Sequence, residues 1–213
     1  MVKRSDLFRK RALSMVSFGI HHIAETNPGV FRASGGMELF TIDAAGNASL
    51  RDPDLCFAKI GGHKPTLIAE VEERHRSVLS LDQWWRGYFH TPGVRLVLGF
   101  KLYPAQLNGN VAALVLQYGY TSGNQVEIMD AVSFGMRDVE PQGIPHDIWS
   151  RIRFLPHPTR AQMESCLDPW TPDDHGFLTL PRAECLHGAP ADVLNSSVED
   201  FRLPLFKILV HYS

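Results

Sequence analysis

Two carboxylates stand where ordinary core chemistry would not put them. Glu70 interrupts the apolar run Pro65-Thr66-Leu67-Ile68-Ala69-Glu70-Val71, and Asp54 follows Pro53 in an acidic turn 16 residues earlier. A run of that kind reads as a strand buried on both faces. An ionised carboxylate within it costs several kcal/mol, on the order of 3 or more, unless it is paired, protonated or bound to a cation. If the two acids end on neighbouring strands, their hard oxygens could hold one divalent ion, which polarises a phosphoryl oxygen and lowers the pKa of its bound water. Two plainer readings stay open: an Asp in a turn caps nearby amides, and Glu70 could pair with Arg95 or Lys101 on the next strand.

The elements that must position these acids follow from the hydrophobic periods. Residues 5 to 25 carry Leu13, Val16 and Ile20 at helical spacing, with Leu7, Phe8 and Met15 near the same stripe, and Asn27-Pro28-Gly29 marks the helix end. GMELFTID, the turn AAGN and ASLRDPDLCFAKI read as a hairpin whose returning half contains the acidic turn. After Gly61-Gly62 comes the strand PTLIAEV, then SVLSLDQWWRGYFHT as an amphipathic helix stopped by Pro92-Gly93. On that helix Trp84 and Tyr88 share a face and Trp85 points elsewhere. VRLVLGFKLY, NVAALVLQYGY and QVEIMDAVSFG are further strands, giving a mixed sheet with a helical crossover. From about Val139 onward prolines punctuate the chain, so only short elements are expected before the apolar VEDFRLPLFKILV, a terminal strand or docked helix.

Composition sets broad bounds. The chain has 213 residues, 44% hydrophobic and 21% charged, with a formal charge of -2. That suits one compact globular unit and argues against a strongly basic nucleic-acid binder, while leaving room for a local basic cleft. No apolar run is long enough to span a bilayer, so no membrane partner is expected. Cys56, Cys166 and Cys185 lack CxxC spacing and suit buried thiols in a reducing compartment, intracellular and either cytoplasmic or nuclear. The histidines, including His21-His22, His63, His175 and His187, show no paired ligand spacing for zinc. Lys3, Arg4, Arg9, Lys10 and Arg11 make the first helix basic, and solvent exposure is the expected fate of these charges.

Pro53-Asp54, the interval to Glu70, the helix ending near Tyr88, the Gly93-Val94 turn and the strand VRLVLGF together resemble the PD-(D/E)xK nuclease superfamily, in its restriction-endonuclease-like form. The resemblance covers roughly residues 15 to 120. It implies an α/β (α+β) fold with an αβββαβ core and mixed sheet over residues 1–139; the Pro-rich residues 140–213 have no counterpart in it and are expected to form a C-terminal extension packed on that core, one domain overall. It also implies Mg²⁺ or Mn²⁺ bound by Asp54 and Glu70, with an upstream acid on the first helix, for which Glu25 is the candidate. Where the family places its lysine, two positions after the glutamate, this chain has Glu72. Alternation directs Glu72 to the same side as Glu70. A displaced cation could come from Lys59, Lys64, Arg74 or Lys101, or a polar substitute from Gln83. Lys101 is taken with Asp54, Glu70 and Glu72 as the catalytic set.

The expected activity is metal-dependent hydrolysis of nucleic-acid phosphodiesters. The alternative is a catalytically degenerate module of the same fold that binds protein or nucleic acid, in which Pro-rich tail and exposed aromatics could support a homodimer. The absence of GxxxxGK[ST], GxGxxG, GxSxG and HExxH patterns turns the reading away from nucleotide-phosphate, dinucleotide, serine-hydrolase and zincin chemistry.

Overall fold

Ala12, Val16, Ile20 and Ile23 recur every three or four residues, and burying that stripe makes Arg4–Glu25 one long helix, α1. The computed structural model describes residues 4–25, 29–35, 37–42, 48–62, 64–73, 76–159, 176–195 and 199–209. The side chains of residues 4–8, 42 and 195 lie outside that description, as do the AAGN turn, His63, Arg74, Cys166 and His175.

After α1 the chain forms β1 (Phe31–Ser34), a separate hairpin of β2 (Leu39–Ile42) and β3 (Ala48–Arg51), β4 (Leu55–Lys59) and β5 (Pro65–Glu72). Helix α2 (Val78–Arg86), continued by a 3-10 turn to His90, then leads to β6 (Leu96–Tyr103), β7 (Ala112–Tyr120), β8 (Val126–Gly135) and β9 (Ile152–Phe154). Seven strands make one mixed sheet in the order β1-β4-β5-β6-β7-β8-β9, in which β5–β6 and β8–β9 are parallel and the other neighbours antiparallel. Setting the hairpin aside, the first part of the chain runs α1-β1-β4-β5-α2-β6, an αβββαβ succession. The expected hairpin forms, but its second strand stops at Arg51. Pro53 cannot donate to a ladder, and the chain turns there into the main sheet.

Apolar residues on both faces of the central strands are covered. Leu67, Ala69, Val71, Leu98 and Phe100 face α1, while Ile68, Val97, Leu114 and Leu116 face α2. The C-terminal part contributes the two-stranded ribbon of β10 (Phe177–Leu180) and β11 (Phe201–Pro204), whose Leu178, Leu180 and Leu203 join the α1-side core. Gly19 on α1 leaves the gap that Leu203 enters. The boundary expected near 139/140 separates β8 from β9, which are neighbours in one sheet, so the two parts share a sheet and a core. Among the described residues no helix is long and apolar enough to cross a membrane. Cys56 and Cys185 are free and buried as expected, and burial pushes the Cys56 thiol up to about 12.

On the α2 side, Trp85 is fully buried with its ring lying directly over Gly99 of β6. Gly99 is the cross-strand partner of Glu70, so the absence of a side chain at this one position lets the helix settle beside the carboxylate. A methyl group there would fall inside the Trp85 ring. Gly99→Ala is expected to lower stability by about 2–3 kcal/mol through overpacking, read as a lower urea midpoint with little change in slope.

Candidate active site

The pairing Leu55↔Ala69 places the preceding residue, Asp54, opposite Glu70 at the edge where β4 enters and β5 leaves the sheet. The two carboxyls are neighbours, and the Asp54 carboxylate raises the Glu70 pKa. Asp54 Oδ2 accepts the Val71 amide hydrogen bond at 2.8 Å, and its Oδ1 is ion-paired with Arg9 Nη2. Arg9 Nε also donates to the Val71 carbonyl at 2.8 Å. Glu70 Oε1 accepts from the Tyr88 hydroxyl, and the Trp84 indole N–H favours the ionised carboxylate in the same way. Burial, followed by the neighbouring Asp54, outweighs these donors and pushes Glu70 up to about 7.

Aromatic and basic groups surround the pair. Arg51, at the end of the β2–β3 hairpin, lies over the Trp84 ring at 4.1 Å and the Tyr88 ring at 5.1 Å, and its guanidinium donates to the Trp84 carbonyl. Gly87 has no side chain to obstruct that guanidinium. Desolvation lowers the Arg51 pKa, and the Glu70 charge acts against that shift. Trp84 and Tyr88 meet edge to face at 6.3 Å, so the face they share on the helix is turned to the site. Trp84 is half-buried and Trp85 is the core residue of the two.

Glu72 follows on the same side of β5 and is adjacent to Lys101 in the β5–β6 register. Its carboxylate lies 3.9 Å from Arg76, and the buried Lys101 has its pKa lowered by desolvation against the opposing pull of Glu72 and Glu73. Asp54, Glu70, Glu72 and Lys101 are thus gathered along one end of three neighbouring strands, β4, β5 and β6, with Lys101 nearer to Glu72 than to the acid pair in register.

Glu25 is not brought to this place. Arg9 marks the part of α1 that touches Asp54, and Glu25 lies about 24 Å farther along the helix at 1.5 Å per residue. It is 79% exposed there, beside His22. Among the described residues no group of three or more His, Cys, Asp and Glu side chains is arranged to hold a metal ion, so the three-acid set expected from Asp54, Glu70 and Glu25 does not form. Lys59 and Lys64 sit at the opposite ends of β4 and β5 from the acids, Gln83 is exposed on α2, and Arg95 pairs with Glu184 at 2.7 Å instead of Glu70. Arg74 lies outside the described residues.

The cations nearest the pair, Arg9 and Arg51, were hidden from a reading by spacing. Arg9 sits in a basic cluster typical of solvated helices, and Arg51 opens the acidic turn; each reaches the site through tertiary structure. Arg51 next to Pro53-Asp54 was the one local hint. No protein-family model, curated protein or solved structure matches the chain.

The raised pKa of Glu70 carries a sign for stability. Between the ordinary value of 4.5 and about 7 the folded chain holds a proton that the unfolded chain releases, so this carboxyl destabilises the fold progressively as pH rises through that window and fully above it. Glu70→Gln keeps an acceptor for Tyr88 and places an amide donor toward Asp54. The variant is expected to be more stable than wild type above pH 7, by on the order of 2–3 kcal/mol, with the difference vanishing near pH 4.5. Urea denaturation at pH 5, 6, 7 and 8 measures it, and a difference independent of pH would remove the assignment.

Proposed function

We propose that the chain is a metal-dependent nuclease-like hydrolase of nucleic-acid phosphodiester bonds, of restriction-endonuclease-like kind, with Asp54 and Glu70 as its metal ligands. The observation that carries this reading is the meeting of these two carboxylates at adjacent strand ends, with Glu70 held near neutral pKa by burial and by Asp54. The αβββαβ succession with a parallel β5–β6 pair is the order implied by the family resemblance and supports it further. Two carboxylates with waters completing the shell are a sufficient donor set for Mg²⁺ or Mn²⁺, so the absence of a third acid is compatible with such an ion. When bound, the ion supplies charge neutralisation at the phosphoryl group and a more acidic water.

The remaining roles belong to the chain itself. Tyr88 fixes the Glu70 carboxylate by donating to it, and Trp84 packs edge to face on Tyr88 beside it. Glu70, protonated up to near neutrality without an ion beside it, would release that proton to solvent when an ion takes its oxygens. Arg51 sets a positive charge on the Trp84–Tyr88 face, suited to the anionic backbone of a nucleic acid. Glu72 has Lys101 and Arg76 beside it, so the glutamate in the lysine position is itself balanced by cations.

One observation favours the second reading, a degenerate nuclease-fold module: the Arg9 guanidinium already neutralises Asp54. The two readings separate in one experiment. Purified chain is incubated with single- and double-stranded DNA and RNA in Mg²⁺ and in Mn²⁺, alongside Asp54→Ala and Glu70→Ala. The hydrolase reading expects cleavage by wild type and a loss of about a hundredfold or more in each variant. Metal-independent cleavage, or cleavage unchanged in both variants, would sink it. Nucleic-acid binding without cleavage under any condition would leave the degenerate module.

A further inference from the structure

Asp54 Oδ1 and the Val71 carbonyl oxygen are oxygen donors of the kind that hard cations select, and one guanidinium, that of Arg9, holds both. Its Nη2 takes the carboxylate and its Nε the carbonyl. Glu70, opposite Asp54 in the β4–β5 pairing and next to Val71 in sequence, brings a second carboxylate beside Asp54. The positive charge beside the acid pair is therefore the chain's own, delivered by α1 across 45 and 62 residues of sequence.

The two sides of this ion pair are unequally sheltered. The Asp54 side chain is 12% exposed and meets little water, whereas the Arg9 side chain is 41% exposed. An anion so placed requires a cation, while the cation can leave for water at modest cost. Arg9 is the replaceable partner.

We propose that Arg9 is a resident counter-cation that occupies the oxygen donors of the acid site, so that a divalent ion binds by displacing its guanidinium into solvent. This deepens the metal-dependent reading and rests on it. Arg9 then acts as a regulator of occupancy: it keeps the empty site neutral enough to be stable and sets a threshold below which divalent ions do not enter. Its effect on a divalent ion is the reverse of that of a residue that merely props Asp54 in position, since removing a prop weakens binding and removing a competitor strengthens it.

Mn²⁺ alone, titrated calorimetrically into the full chain, distinguishes these. Arg9→Gln removes the charge while keeping a polar side chain of some reach, and Asp54→Asn serves as the control that loses the site. The expected result is Mn²⁺ binding at least about tenfold tighter in Arg9→Gln than in wild type, with binding lost in Asp54→Asn. Equal or weaker binding in Arg9→Gln overturns the proposal. Absence of Mn²⁺ binding by both wild type and Arg9→Gln overturns it together with the metal reading, whereas tighter binding without cleavage of any nucleic acid upholds it and removes the hydrolase reading alone. If Arg9→Gln does not fold, the wild-type Arg9 Nε–H resonance decides. Saturating Mg²⁺ is expected to shift it and speed its exchange with water, and an unmoved, still protected resonance overturns the proposal.

Discussion

The close approach of Asp54 and Glu70 concentrates negative charge where burial has removed much of the water that would stabilise it. Two full charges about 4 Å apart repel by about 4 kcal/mol at an effective dielectric of 20. Every polar feature nearby can be understood as a response to that repulsion. A proton settles on Glu70, Arg9 neutralises Asp54, the Val71 amide caps the second Asp54 oxygen, and Tyr88 and Trp84 direct donors at Glu70. An apolar residue at such a strand end would pack without any of these compensations.

The sheet makes this meeting unavoidable. Antiparallel β4 and β5 bring the two acids opposite one another, parallel β6 places Gly99 next to Glu70, and the Trp85 ring fills the resulting hollow. Trp84 and Tyr88, carried by the same helix, are then turned to the carboxylate. The core contact and the polar contacts are parts of one docking event, so packing fixes the orientation of the donors.

Much of this was legible along the chain, because its signals are local. The apolar run that Glu70 breaks, the Trp-rich helix and the strands on either side have strong periodicity, and each element lies within a few residues of its expected place. Glu70 was legible because an ionisable group in a buried strand contradicts its neighbours, and Asp54 through the Pro53-Asp54 pair 16 residues ahead of it. Glu25 was misplaced since sequence order says nothing about which part of a helix comes beside the acids; that part carries Arg9, and Glu25 lies at the far end. The strand β1, short and partly exposed, was overshadowed by the hairpin that follows it, and the seventh strand β9 has only three residues to announce it. Arg51 and Arg9 depend on contacts 33 to 62 residues apart, a distance over which periodicity carries no information.

Those same separations bear on how the molecule assembles. The β6–β7 and β7–β8 pairs are neighbours in sequence and can zip early, whereas β5 joins β6 only across the α2 crossover, and α1 closes on Val71 over 62 residues. Asp54 and Glu70 lie on the neighbouring arms of the β4–β5 hairpin, 16 residues apart, so the charged pair can meet as early as those pairs form, before α1 brings Arg9 to it. In kinetic terms the acids meet through a local pairing and their counter-cation arrives through a non-local one, so the hairpin carries its repulsion until α1 closes on it.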